Sequence, residues 1–157
     1  MREELATSIL PHPLFLVVLW LHTEVEPPAS QWATAVEQLV KARRQRGLGV
    51  DRVRSMVITD GGAPNPAQRV QIARDLHEGR PTKLAVLTLA LSHPVKRGIA
   101  TALSWVNPSI RFYQPTQFGD ALAYLDLPDQ GGAIQHEYQR LNARLNHLVR
   151  TLDLVSF

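Results

Sequence analysis

Apolar and polar residues alternate along this chain in blocks that predict a repeated order of strand and helix. Some segments are apolar at nearly every position, as strands covered on both faces of a sheet are, and others show the alternation of an edge strand. The four predicted strands are Leu14–Thr23, Val53–Asp60, Lys83–Leu91 and Ile110–Gln114. Each strand is followed by a stretch with apolar residues at helical spacing, and these stretches begin near Ser30, Ala67, Ser92 and Pro115.

This order predicts the α/β fold class, with a four- to five-stranded, mostly parallel sheet and helices on both faces. The first ten residues fit two alternatives: a short antiparallel edge strand beside Leu14–Thr23, or a helix packed outside the sheet. A length of 157 residues suits one such domain, which we place at residues 1–128. Residues 129–157 are predicted to form a distinct C-terminal element.

The C-terminal element has one narrow apolar stripe. Its apolar residues are spaced alternately by four and three positions, as in a heptad repeat, which predicts a long amphipathic helix after the flexible joint Asp129–Gly132. The stripe can be buried against the chain's own domain or against another chain, and the second arrangement would make a homodimer. It consists of Ile134, Tyr138, Leu141, Leu145, Leu148, Leu152 and Val155.

The composition narrows the classes of function. The chain has no cysteine, which excludes disulfides, thiol catalysis and cysteine-bound metal, and which fits the reducing cytoplasm, where we expect the protein to be. The longest apolar run, Leu14–Leu21, is shorter than the about 20 residues that a bilayer-spanning helix needs. We therefore predict no membrane span, and the two glutamates near the start argue against a signal peptide.

The charge gives little reason to expect nucleic acid as a partner. The formal net charge is only +3. The densest basic cluster has no interleaved aromatic residues and fits no recognition motif, so we interpret it as a solvated face. This cluster consists of Lys41, Arg43, Arg44, Arg46, Arg52 and Arg54.

One junction between a predicted strand and helix, "VITDGGAPNPAQR" (Val57–Arg69), has the glycines of a phosphate-binding loop. It lacks both G-x-G-x-x-G and G-K-[ST], its two prolines remove two N–H donors, and Asp60 would repel a phosphate. The pattern instead predicts a tight turn in which Gly61 and Gly62 have positive φ. Asn65 would cap the next helix, and Pro66 would take its first position.

Polar residues are predicted to gather at the edge where the parallel strands end, which is where α/β proteins bind ligands. These residues are His22, Thr23, Glu24, Asp60, Ser92 and His93. With Gly61, Gly62 and Asn65 they would form a docking turn for a partner protein. Alternatively, Asp60 with His22 or His93 would form an acid–base pair or a metal site. Because no G-x-S-x-G or H-E-x-x-H motif is present, we predict no catalytic residue, metal or cofactor.

The stretch "KLAVLTLALSHPVKRGIATALSWVNPSIRFYQPTQFGDALAYL" resembles the SpoIIAA-like group of the STAS (sulfate transporter and anti-sigma-factor antagonist) superfamily. The best match is Ile110–Leu125, and in outline the resemblance covers Leu14–Leu127. It implies a compact α/β domain that binds a regulatory or effector protein without catalysis. In the anti-sigma-factor antagonists a serine at a strand-to-helix turn is phosphorylated. This chain departs there, since no serine or threonine lies between Gly61 and Gln68.

We therefore predict a regulatory or adaptor module that uses the turn at residues 60–65, the C-terminal helix, or both. Two alternatives stay open. One is a small-molecule or lipid binder with its ligand in the crevice at the strand ends or between the sheet and the last helix. The other is an enzyme that uses Asp60 with His22 or His93.

Overall fold

In the described part of the chain the sheet has five strands, which lie in chain order with β1 at one edge and β5 at the other. A computed structural model describes residues 2–89 and 109–153 of the chain. The strands are β1 (Leu5–Leu10), β2 (Leu16–His22), β3 (Val53–Thr59), β4 (Lys83–Thr88) and β5 (Ile110–Tyr113). β1 runs antiparallel to β2, and the other neighbours are parallel. The prediction of an α/β fold with a mostly parallel sheet is confirmed. Of the two alternatives for the first ten residues, the structure shows the antiparallel edge strand.

The described helices are α1 (Ala29–Gln45), α2 (Pro66–Asp75), α3 (Phe118–Tyr124) and α4 (Gly131–Arg144), with short 3₁₀ turns at Val50–Arg52 and Pro115–Gln117. α1 begins one residue before Ser30, with Pro28 in the capping position. The helix predicted to begin near Ser92 lies outside the described residues.

β2 forms the centre of the core because all seven of its residues are buried. Its successive side chains point to opposite faces of the sheet. On one face Leu16, Val18 and Trp20 pack with Trp32 and Leu39 of α1. This face is also covered by α2, since α1 and α2 are in contact.

The opposite face of the sheet is covered by α3 and α4. Leu19 and Leu21 of β2 lie in one cluster with Phe118 of α3 and Ile134 of α4. Helices therefore cover both faces of the sheet, as the sequence predicted.

The C-terminal helix is present but ends at Arg144, earlier than the heptad pattern predicted. Asn146 and His147 both have left-handed backbone conformations, with φ of 59° and 57°. The His147 N–H donates to the Asn142 carbonyl oxygen (2.7 Å) and the Asn146 N–H to the Ala143 carbonyl oxygen (3.0 Å), which is the Schellman pattern of a helix C-terminus. The chain therefore leaves the helix and turns back onto the domain.

The apolar stripe of the tail is buried within its own domain. Ile134, Tyr138, Leu141, Leu145 and Leu152 belong to the cluster that contains the β2 side chains of that face, and Leu148 packs against it. Val155, the last predicted member, lies outside the described residues. Of the two arrangements left open, the structure shows packing on the chain's own domain.

Candidate functional site

The ends of β2 and β3 are joined by direct backbone hydrogen bonds. The Asp60 N–H donates to the His22 carbonyl oxygen (3.2 Å), and the Gly62 N–H donates to the Thr23 carbonyl oxygen (2.8 Å). We call the loops 23–28 and 60–65 together the strand-end surface. These bonds fix the two loops relative to each other.

The two glycines of this turn have different roles. Gly61 has a φ of 127°, so it supplies the positive φ that the sequence predicted. Gly62 does not have a positive φ. It is needed for close approach instead, because a Cβ there would overlap the carbonyl oxygens of Thr23 and Val25. The prediction that Gly62 has a positive φ is therefore wrong, and the glycine is needed there for lack of space.

α2 begins with a complete capping box. The Asn65 side chain accepts a hydrogen bond from the Gln68 N–H (2.9 Å), and the Gln68 side chain accepts one from the Asn65 N–H (2.9 Å). Pro66 is the first helical residue. The Gln68 amide also donates to the Pro27 carbonyl oxygen (2.9 Å), which ties α2 to the loop after β2. The cap and the proline are as predicted, whereas the role of Gln68 was missed.

The Asp60 carboxylate binds the C-terminal segment of the chain. It accepts hydrogen bonds from the Arg150 N–H (2.7 Å), the Thr151 N–H (2.9 Å) and the Thr151 hydroxyl (2.6 Å). The Thr151 hydroxyl is also 2.8 Å from the Thr59 carbonyl oxygen. Asp60 thus caps a turn about ninety residues further along the chain, a contact with no periodic signal in the sequence.

Two side chains of α4 hold the same segment from the other side. The Asn142 amide donates to the Val149 carbonyl oxygen (2.7 Å) and accepts from the Val149 N–H (3.0 Å). The Tyr138 hydroxyl donates to the same carbonyl oxygen (2.7 Å). Burial, with a smaller effect from Asp153, raises the pKa of Tyr138 above its usual range, so the phenol stays a donor. The segment after α4 is therefore held at Val149 by α4 and at Arg150 and Thr151 by Asp60.

His22 is turned away from Asp60, into the core beneath α1. Its ring stacks on Trp20 at 6.4 Å between centroids, and Trp32 lies at the same distance. Burial lowers the pKa of His22 to about 4, so the ring is neutral near pH 7. Because Asp60 binds the C-terminal segment instead, the structure does not bring the proposed acid–base pair of Asp60 and His22 together.

Three ring nitrogens in this cluster have no hydrogen-bond partner among residues 2–89 and 109–153. They are Nε1 of Trp20, Nδ1 of His22 and Nε1 of Trp32. All three rings are at most 2% exposed. These three nitrogens add no hydrogen bond within the described residues, whereas the rings stack on one another and pack against apolar side chains.

The outer rim of the strand-end surface is exposed. Val25 is 48% exposed, and Glu24 and Glu26 on either side of it are also exposed. The Glu26 carboxylate lies 3.4 Å from the Asn65 amide nitrogen. Ser92 and His93, the other predicted members of this site, lie outside the described residues.

The order of the described strands does not produce the ligand-binding crevice that the sequence predicted at the strand ends. Ligands in open α/β sheets bind where the strand order reverses, and the five strands lie in chain order without reversal. A groove of about 420 Å³ lies instead between β1 and α1. Its lining is mainly polar and consists of Glu3, Leu5, Thr7, Ser30, Gln31, Thr34, Ala35, Gln38 and Arg144.

The basic cluster is less uniform than the sequence suggested. Arg43 is buried; it donates to the Leu48 carbonyl oxygen (3.1 Å) and pairs with Glu78 (2.9 Å), so the solvated-face prediction is wrong there. Arg54 lies 4.2 Å from the ring centroid of Phe15, an aromatic contact that the spacing in sequence did not reveal. These arginines stabilise the fold.

Within the described part of the chain, no helix has the length and apolar character needed to cross a bilayer. The same residues contain no cluster of three or more histidine, aspartate or glutamate side chains placed to hold a metal ion. Comparison with protein-family models, with curated proteins and with solved structures gave no match. The STAS-like resemblance thus stays a prediction.

Proposed function

We propose that this protein is a non-catalytic regulatory or adaptor module that binds a partner protein through the strand-end surface. The observation that carries the proposal is an exposed apolar side chain, Val25, on loops that internal hydrogen bonds hold in place. Binding to a prearranged surface costs less conformational entropy than binding to loops that must first be ordered.

The chemistry of the rim suggests the kind of partner. Val25 offers an apolar contact, and the exposed carboxylates of Glu24 and Glu26 flank it. A partner segment with an apolar side chain between basic residues would complement this rim, because rim charges guide the choice of partner and the rate of association. The STAS-like resemblance supports a protein partner in the cytoplasm, a location that the absence of cysteine also fits.

Phosphorylation of the turn is not part of the proposal. Thr59, the threonine nearest to the turn, is buried. Its hydroxyl donates to the Gly62 carbonyl oxygen (2.6 Å) and accepts from the Gly61 N–H (3.0 Å). A phosphate on this hydroxyl would break both bonds and place its charge in the core.

Affinity capture from an extract of the native cell, followed by mass spectrometry, tests the proposal. We expect the immobilised full chain to retain a protein that the Val25→Arg variant loses. Val70→Arg is the matched control, because Val70 is 64% exposed on α2 and lies outside the two loops of the strand-end surface. Retention of the same proteins by all three chains would contradict the strand-end surface as the docking site.

A further inference from the structure

β1 has an open edge in the described part of the chain, since β2 is its only neighbour there. The Thr23 N–H donates to the Glu4 carbonyl oxygen (3.2 Å), which sets the phase of the antiparallel ladder. Residues that alternate along a strand direct their backbone groups to opposite sides. The residues that direct N–H and C=O groups to the open edge are therefore Leu5, Thr7 and Ile9.

This edge lacks the features that usually prevent strands from pairing between chains. Sheet edges are commonly protected by charged side chains, prolines or bulges. From Leu5 to Leu10 the strand has none of these, and its register against β2 continues without interruption. Ile9 on this strand is 36% exposed. The edge therefore presents both unpaired backbone groups and an apolar side chain.

We propose that β1 pairs antiparallel with β1 of a second copy of this chain, about a two-fold axis at Thr7, so that the two sheets become continuous. In this register Thr7 faces Thr7 of the second copy, Leu5 faces Ile9, and Ala6 faces Ser8. Thr7 against Thr7 sets hydroxyl opposite hydroxyl, and Leu5 against Ile9 sets apolar opposite apolar, which are favourable cross-strand pairs. A closed, isologous interface of this kind is the commonest form of homodimer.

The helices beside the edge are compatible with this arrangement. On one face the groove between β1 and α1 has hydroxyl and amide side chains in its lining, together with Glu3 and Arg144. On the other face Glu137 lies near the edge, because its carboxylate accepts a hydrogen bond from the Ser8 hydroxyl of β1 (2.6 Å). Glu3 pairs with Arg144 (3.5 Å), and Glu137 pairs with Arg140. A two-fold axis therefore brings together equal numbers of each charge.

The residues of β1 that face the open edge pair well with the same residues of a second copy. This favours a second copy of the chain over a segment of another protein. An extended segment of another protein would use the same backbone groups. However, the favourable cross-strand pairs of Leu5 with Ile9 and of Thr7 with Thr7 come from this chain's own sequence. The two occupants are separated by the experiments below.

Sedimentation velocity of the full chain tests the interface first. We expect a species of twice the 17.6 kDa chain mass that dissociates on dilution. Thr7→Lys places two like charges at the axis and should raise the dissociation constant at least roughly tenfold. Val70→Lys, an exposed substitution on α2, should leave it unchanged. A wild-type chain that is monomeric at every concentration, or a Thr7→Lys variant that dimerises as tightly as wild type, would overturn the proposal.

A second variant tests the register and is the smaller change to the strand. Because the chain has no cysteine, Thr7→Cys carries a single thiol. We expect a short bismaleimide to convert this variant into a covalent dimer, since the two thiols lie across the axis, and to leave Val70→Cys largely monomeric. Equal cross-linking of the two variants would refute the Thr7 axis. If the wild-type chain is monomeric and its β1 edge binds an extended peptide of another protein, the proposed second copy is wrong and the partner of the edge is that peptide.

Discussion

Two buried clusters on opposite faces of the sheet treat their polar groups in opposite ways. On the face covered by α4, the side chains of Tyr138 and Asn142 bond to the segment after α4. On the face covered by α1, the rings of Trp20, His22 and Trp32 pack with ring nitrogens that lack partners in the described chain. A buried donor without a partner costs about 1–3 kcal/mol. The cluster of rings must therefore gain its stability from apolar area, whereas the segment after α4 is positioned by directed bonds.

The largest expected effect comes from removing a ring on the α1 face. Trp20→Ala should lower the free energy of unfolding by about 4 kcal/mol, because replacing a buried tryptophan leaves a cavity. Chemical denaturation followed by circular dichroism measures this loss. Leu14→Ala, which removes a side chain that is 57% exposed, is the control and should cost less than about 0.5 kcal/mol. A loss below about 1 kcal/mol for Trp20→Ala would show that the rings contribute little.

Acid should also weaken the α1 face. Burial lowers the pKa of both His22 and His77 from 6.5 to about 4, with a smaller effect of Arg43 on His77. Between these pH values the unfolded chain binds more protons than the folded chain, so stability falls as the pH falls from 6.5 to 4. Each histidine accounts for at most about 3 kcal/mol of this loss.

Unfolding curves between pH 7 and pH 4 test this dependence. The His22→Phe variant should lose stability less steeply than wild type over that range. His136→Phe is the matched control, because it replaces a histidine that is exposed on α4 and not buried in the core. The same slope in wild type and His22→Phe would remove His22 as a cause.

The smallest effect is expected on the α4 face. Asp60→Ala removes the acceptor of three hydrogen bonds and should cost about 2 kcal/mol. Hydrogen exchange should quicken most at the Thr151 amide, because the segment after α4 loses one of its anchors. Glu24→Ala, which removes an exposed carboxylate of the same surface, should change neither quantity. Unchanged exchange at Thr151 in Asp60→Ala would contradict the anchoring role.

What the sequence could predict follows from the range of each interaction. Local patterns were sufficient for the strand and helix order, for the antiparallel edge strand as one alternative, and for the Asn65 cap with Pro66. These depend on residues close together in the chain, where periodicity and capping rules apply. The interpretation of Val57–Arg69 as a structural turn agrees with the observed hydrogen bonds.

Contacts between distant residues could not be predicted in this way. The bond from Thr151 to Asp60 joins residues 91 positions apart, and the close approach at Gly62 depends on the loop after β2. The heptad spacing also predicted a helix that continues past Arg144, whereas Asn146 and His147 reverse the chain there. After that turn Val149 and Thr151 are fully buried although the heptad pattern omits both, so the spacing described the apolar content and not the conformation.

The bond between Asp60 and Thr151 also bears on how the chain folds during synthesis. Domains fold as the chain emerges, and the N-terminal part is made first. β3 and the turn after it are complete long before Thr151 is made, 91 residues later, and closing so long a loop carries an entropic cost. A nascent chain that stops short of Arg150 lacks the two N–H groups and the hydroxyl that donate to the Asp60 carboxylate. The α4 face is thus the last part of the domain to close.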